Sequence, residues 1–118
     1  MLATEGTARV LRRNGITSTL VRKHSSGPGP DGEPTVVQRI YAGDVDMVVN
    51  TPSGATARVD GYEIRAATTS VDKPIITTVQ QLAAAVQAIE AVITGDLDVT
   101  SLQDHAAALD LYGVEASA

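Results

Sequence analysis

Cysteine, phenylalanine and tryptophan are all missing from this chain of 118 residues. Without cysteine there is no disulfide framework, no thiolate nucleophile and no thiolate metal site, which suits a reducing cytoplasm. The only two histidines, His24 and His105, lack the spacing of metal ligands. The composition therefore predicts no bound metal, a cytoplasmic protein and a core built from Val, Ile, Leu and Ala.

Basic clusters and long apolar runs are also absent. A net charge of −5 at pH 7 without a Lys/Arg cluster excludes nucleic acid as a partner, because binding to phosphate backbones requires a basic face. No apolar stretch approaches the roughly 20 residues that span a bilayer, and the first residues lack the regions of a signal peptide. The chain is therefore expected to contact no membrane and to form one domain over residues 1–118.

Short apolar segments bounded by turn residues alternate with helical patterns, which predicts an α/β fold with a parallel sheet. The chain opens on Met1–Ala3, which is expected to be the tail of a strand. The other predicted strands share β-branched or apolar runs and are Thr17–Val21, Val45–Val49 and Pro74–Thr77. The predicted helices are Thr7–Asn14, Thr35–Tyr41 with Pro34 at its first turn, Arg58–Val71, Val79–Thr94 and a short one from Ser101 to Leu109. In the longest helix, one apolar stripe is expected to face the core and consists of Val79, Leu82, Val86, Ile89 and Ile93.

The segment Ala3–Ala8 has the pattern of a phosphate cradle at the start of a helix. The hydroxyls of Thr4 and Thr7 and the small Gly6 lie where backbone N–H groups are unpaired and the helix dipole is positive, so an anion is favoured there. The alternative is structural: Thr4 simply caps the helix and Gly6 allows a tight turn.

A second polar strand end follows Val48–Val49, where Asn50, Thr51, Ser53 and Gly54 combine loop-forming character with hydrogen-bond donors. Ligands of open parallel sheets bind outside the carboxyl ends of the strands, so the two motifs predict one site. The loop from Lys23 to Pro34 is rich in Pro, Gly and Ser and is interpreted either as a lid over this site or as a solvated connector.

Taken together, several segments resemble the C-terminal allosteric domain of the carbamoyl phosphate synthetase large subunit, a methylglyoxal synthase-like domain. The resemblance implies a three-layer, flavodoxin-like parallel sheet whose first strand and helix would lie before Met1. The similar segments run in order over residues 2–95 and are Ala3–Ala8, Val10–Leu11, Asn14–Ile16, Leu20–Lys23, Gly32–Pro34, Val48–Thr51, Asp60, Ile64–Arg65 and Thr77–Thr78.

The resemblance implies a regulatory nucleotide site without catalytic residues or cofactor. In that family, the groups matching Thr4, Thr7, Lys23 and Asn50 hold the phosphate and ribose of UMP or IMP, and Gly6 and Thr51 are assigned to the same site. Lys23 would supply a full positive charge, although a solvated surface lysine is its alternative role. Thr77 and Thr78 are weaker candidates, with strand-end packing and helix capping as their alternative roles.

The implied partners are the rest of the large subunit and its glutaminase small subunit, in an ATP-dependent, glutamine-hydrolysing ligase that serves pyrimidine and arginine biosynthesis. The chain departs from the family at Pro52, where many relatives carry a threonine, and in a longer Ser25–Asp31 segment. A missing first βα unit would expose a sheet edge and favour self-association.

Two other functions compete with this hypothesis. Methylglyoxal synthase shares the fold and a Ser-Gly-Pro loop, here Ser26–Pro28, and its catalytic aspartate aligns with Glu33, with Asp31 as the alternative. The His-Asp pair of that enzyme would lie before Met1, which disfavours catalysis on dihydroxyacetone phosphate. The third hypothesis is a structural module that docks on the synthetase and binds no ligand.

Overall fold

The computed structural model describes residues 1–95 and 98–109, apart from the side chain of Thr56. Short parallel strands alternate with helices, which confirms the predicted α/β class. The chain divides into two compact units, Met1–Ala83 and Ala84–Ala118, and every predicted site residue belongs to the first.

Four two-residue strands form two parallel ladders in the described part of the chain, where a single continuous sheet was expected. In the first ladder Leu2 is aligned with Thr19, and in the second Val48 is aligned with Ile75. An isolated parallel bridge between Arg22 and Thr35 lies beyond the first ladder. The strands are β1 (Leu2–Ala3), β2 (Thr19–Leu20), β3 (Val48–Val49) and β4 (Ile75–Ile76).

The helices match the predicted order, and the helix over Val79–Thr94 has the predicted bounds. Three starts differ. The first helix begins at Glu5 and not at Thr7, and local turn chemistry moves the other two. Gly54 has φ +92°, so the loop before the third helix ends there and not at Arg58. Thr35, not Pro34, begins the second helix through a capping box with Gln38. The helices are α1 (Glu5–Arg13), α2 (Val36–Tyr41), α3 (Ala55–Ser70), α4 (Val79–Thr94) and α5 (Leu102–Leu109).

A small aliphatic core lies between α2, α3 and β3. Ile40 is 1% exposed and Ala67 is completely buried, so this cluster excludes water without any aromatic side chain. Thr68 is also completely buried, and its hydroxyl donates to the Ile64 carbonyl oxygen over 2.6 Å, which satisfies this buried polar group. The core cluster consists of Val37, Ile40, Val48, Ile64 and Ala67.

The expectation that the apolar stripe of α4 faces a core is wrong in this structure. No residue of α4 is buried, Leu82 is partly buried, and Val79 and Ile93 are 66% and 79% exposed. Helical spacing determines which side chains share a face, but it does not supply the element that covers the face. No helix in the described ranges is both long and apolar enough to cross a membrane.

Candidate functional site

The first parallel ladder brings the ends of β1 and β2 to one edge. The Val21 N–H donates to the Ala3 carbonyl oxygen over 2.9 Å, so the two chains still run side by side when they leave the sheet. Thr4 follows β1 directly, and Lys23 comes two residues after Val21. The ladder therefore brings two of the predicted ligands, Thr4 and Lys23, to the same carboxyl edge.

The second ladder likewise brings the carboxyl ends of β3 and β4 to one edge, where the candidates with amide and hydroxyl side chains follow. The Asn50 N–H donates to the Ile76 carbonyl oxygen over 2.8 Å, one step beyond the aligned pair Val49 and Ile76. This hydrogen bond places Asn50 alongside Thr77 at the carboxyl ends of β3 and β4, and Thr51 and Thr78 follow next in the sequence.

Helix α1 begins without a side-chain cap, although a threonine occupies its N-cap position. Thr4 is extended (φ −70°, ψ 160°) and its side chain accepts no hydrogen bond from the helix. The N–H groups of Gly6 and Thr7 find no acceptor in the described part of the protein. By contrast, the hydroxyls of Thr35, Thr78 and Ser101 all accept N–H groups of their own helices. Donors and the positive end of the α1 dipole are therefore left available to an anion.

Lys23 is an exposed cation at the N-cap of a short 3₁₀ turn, His24–Ser26. Among residues 1–95 and 98–109, its ammonium group forms no ion pair or hydrogen bond. The acidic residue of the α1 first turn, Glu5, pairs with Arg9 over 3.3 Å and so has its own partner. An unpaired ammonium and unpaired N–H groups at one sheet edge are groups that attract an anion.

Asn50 lies against α3, and its side-chain amide makes no hydrogen bond to any described residue. A Cβ built on Gly61 would be 3.0 Å from Asn50 Nδ2 and 3.4 Å from the Pro52 ring, so glycine allows this close approach. The amide can therefore offer both a donor and an acceptor to a ligand. Thr51 is exposed, and Pro52 packs on Gly61 where a hydroxyl was expected from the family.

Thr77 and Thr78 have other hydrogen-bonding roles. The N–H and hydroxyl of Thr77 both donate to Gln81 Oε1, over 3.0 and 3.2 Å. The Thr78 hydroxyl accepts the Gln81 N–H over 3.1 Å. Both side chains thus organise the start of α4, which is the structural role foreseen as their alternative.

The proposed catalytic carboxylate of the rival enzyme is used inside its own loop. Glu33 Oε2 accepts the Asp31 N–H over 3.2 Å, and the Glu33 carbonyl oxygen accepts the Gly29 N–H over 2.8 Å. A Cβ at Gly29 would collide with the Glu33 carboxylate. This carboxylate closes a turn, which disfavours its use as a general base.

A cavity of about 260 Å³ lies beside β2 and contains none of the predicted ligands. Its two cations are engaged, because Arg22 donates to backbone carbonyls and Arg39 pairs with Asp44 over 2.9 Å. It therefore offers an anion less charge than the edge near Lys23. The lining residues are Leu20, Val21, Arg22, Glu33, Pro34 and Arg39.

Sequence reasoning missed a hydrogen bond between the Lys23–Pro34 loop and α3. The Ser25 hydroxyl donates to Asp60 Oδ2 over 2.8 Å, and Asp60 precedes the Gly61 that packs on Asn50. Ser25 itself comes two residues after Lys23. Since 35 residues separate donor and acceptor, no local periodicity signals the contact.

Gly61→Ala is expected to raise the free energy of unfolding by a few tenths to about 1 kcal/mol, because alanine is favoured over glycine inside a helix. The nearest neighbours are a free amide terminus and a proline ring, so Asn50 can turn aside and α3 need not move. Urea unfolding measures the stability, and the NMR shift of the Asn50 side-chain amide reports its displacement.

Gly6→Ala is the matched control, since Gly6 is also helical but has no atom within 4 Å of its built Cβ. It should give a similar gain in stability without moving the Asn50 amide signal. A loss of more than 1 kcal/mol in Gly61→Ala would contradict the interpretation of this contact.

With this geometry established, comparison with known proteins gives one family. Residues 1–77 match the MGS-like domain family. The chain belongs to this family. The MGS-like domain match covers both strand-end motifs, the Lys23–Pro34 loop and the whole of α3.

The curated proteins to which this MGS-like domain is similar are much longer. It is 65% identical over 115 residues to the carbamoyl phosphate synthase large chain of Kineococcus radiotolerans, and the match covers 93% of this chain and 10% of that protein. It is 65% identical to that of Beutenbergia cavernae and 58% identical to that of Streptomyces coelicolor, each match covering 92% of this chain and 10% of the relative. The chain thus spans about a tenth of these curated relatives. No solved structure matches it significantly.

Proposed function

We propose that this MGS-like domain binds a nucleoside monophosphate of the UMP or IMP type and acts as the regulatory part of a carbamoyl phosphate synthase large chain. The supporting observation is the uncapped α1 N-terminus at the same sheet edge as the unpaired Lys23 ammonium. A phosphate dianion satisfies both, because it accepts N–H groups and attracts the cation. The free Asn50 amide fits the polar ribose and base better than it fits a bare anion.

In this proposal the chain itself performs no chemistry. Its partners are the remainder of the large chain and the glutaminase small subunit, in an enzyme that supplies carbamoyl phosphate to pyrimidine and arginine biosynthesis. Regulation requires that the nucleotide interact differently with two states of the whole enzyme, so the isolated chain can display binding but not control.

Calorimetric titration of the 118-residue chain tests the binding step. UMP or IMP is expected to bind, and uridine and inosine to bind at least tenfold more weakly, because they lack the phosphate that α1 and Lys23 recognise. Inorganic phosphate should compete with the nucleotide.

Two results would contradict the proposal. One is equal affinity for nucleosides and nucleotides, which would place recognition away from the charged edge. The other is formation of methylglyoxal from dihydroxyacetone phosphate, which would make the domain an enzyme.

A further inference from the structure

The 3₁₀ turn after Lys23 is fastened on one side by Arg22. The Arg22 Nε donates to the Gly27 carbonyl oxygen over 2.9 Å, and its Nη2 donates to that of Ser26 over 3.3 Å. Two backbone hydrogen bonds close the turn, from Ser26 N–H to Lys23 and from Gly27 N–H to His24. Gly27 then ends it with φ +64°, a conformation that glycine adopts without strain.

The other side of the turn is fastened by Ser25. Its hydroxyl donates to Asp60 on α3, and within the described residues this is the only hydrogen bond from the Lys23–Pro34 loop to any residue beyond Thr35. The loop holds three prolines and three glycines and has little regular structure. One hydrogen bond therefore fixes where the 3₁₀ turn meets α3.

Asp60 connects the turn to the second half of the candidate site. Its Oδ1 is buried and has no hydrogen-bond partner among the residues that the structure describes, while its Oδ2 accepts from Ser25. The next residue, Gly61, packs on Asn50. Covalent and non-covalent links therefore lead from Lys23 through Ser25, Asp60 and Gly61 to Asn50.

We propose that the Ser25–Asp60 hydrogen bond positions the Lys23 ammonium for phosphate binding, so that Ser25 and Asp60 are positioning residues of the nucleotide site. This inference rests on the proposed function. Among the residues that the structure describes, the Lys23 ammonium forms no ion pair or hydrogen bond, so the turn that Lys23 begins sets its place. Without the Ser25–Asp60 hydrogen bond, the turn keeps the hydrogen bonds from Arg22 but loses the one to α3. Phosphate binding must then also order the Lys23 ammonium, which lowers the affinity.

The experiment is a double-mutant cycle on the 118-residue chain, with UMP as the probe in calorimetry. Ser25→Ala is expected to weaken UMP binding about fivefold, the size of a typical hydrogen bond. In the Lys23→Ala background, Ser25→Ala should have no further effect, since there is no ammonium left to position. An equal fivefold loss in that background would overturn the proposal.

Two variants separate positioning from general damage. Ser25→Thr keeps the hydroxyl and should keep the affinity. Ser26→Ala is the matched control, because Ser26 lies in the same turn, is exposed and uses only its backbone in the contacts described. If Ser26→Ala weakens UMP binding as much as Ser25→Ala does, the contact with Asp60 is not the cause.

Amide hydrogen exchange tests the role of the Ser25–Asp60 hydrogen bond without any ligand. The Ser26 and Gly27 amides donate within the turn, so both are expected to exchange several-fold faster in Ser25→Ala. Unchanged exchange rates would show that the Ser25–Asp60 hydrogen bond does not hold the turn, even if UMP binds. If exchange is faster in Ser25→Ala but the unmodified chain binds no nucleotide, the hydrogen bond does hold the turn. Its role in nucleotide binding and the proposed function would then both be rejected.

Discussion

Lys23→Ala is expected to weaken UMP binding about 10- to 100-fold, the largest effect of any single substitution at the site. The ammonium is the one full positive charge that the predicted ligand set contributes, and no carboxylate in the described residues neutralises it. A hydrogen bond to a charged partner contributes about 1.5–3 kcal/mol, which sets this range. Calorimetry with UMP at fixed ionic strength measures it.

Lys73→Ala is the chemically matched control for this variant. Lys73 precedes β4, so it lies toward the amino end of the parallel ladder, away from the edge where the candidate ligands lie. Its replacement should change UMP affinity less than twofold. Equal losses in the two variants would mean that overall charge, not a positioned ammonium, attracts the nucleotide.

The Lys23→Ala substitution also tests regulation when it is made in a complete large chain that carries this segment. Lys23→Ala should weaken the response of carbamoyl phosphate synthesis to UMP and leave the basal rate largely intact, because the residue belongs to a site distinct from the chemistry. If UMP acts on the variant as it does on the unmodified enzyme, the assignment of Lys23 is wrong.

Ile40→Ala is expected to lower the free energy of unfolding by about 2–5 kcal/mol. Ile40 is 1% exposed at the centre of a cluster with no aromatic side chain, so a cavity there removes a large part of the apolar contact between α2 and α3. Typical domains are stable by only about 5–15 kcal/mol, so the variant approaches unfolding at ambient temperature. Urea unfolding followed by circular dichroism measures the loss.

Two further variants calibrate this result. Ile40→Val should cost about 0.5–1.5 kcal/mol, because it removes one methylene. Val59→Ala on α3 should stay within about 0.5 kcal/mol of the parent, since Val59 is 67% exposed. A loss below 1 kcal/mol in Ile40→Ala would show that the cluster is not the stabilising centre of this unit.

Helices were easier to predict from the sequence than strands. The bounds of α4 follow from local periodicity and are confirmed. The strand predicted over Val45–Val49 is reduced to Val48–Val49, because ladder membership depends on a partner that is distant in sequence. The start of α2 could have been read correctly, since Thr35-Val36-Val37-Gln38 is a capping-box pattern.

The candidate site was predictable as far as parallel-sheet geometry reaches. Thr4 and Asn50 follow strands whose carboxyl ends must share an edge within each ladder, and the structure places them so. The contact between Ser25 and Asp60 depends on how a loop rich in glycine and proline folds onto α3, which neither composition nor periodicity specifies. The use of Thr77 and Thr78 as partners of Gln81 depends in the same way on side-chain conformation.

The uncapped start of α1 makes the stability of the domain depend on whether its N-terminus is occupied. A good N-cap stabilises a helix by about 1 kcal/mol, and here Thr4 withholds that contribution. An occupant that accepts the Gly6 and Thr7 amides would restore it, so the empty domain melts earlier and the filled one later. Selection for a more stable free domain would therefore act against the uncapped helix start on which the proposed anion site depends.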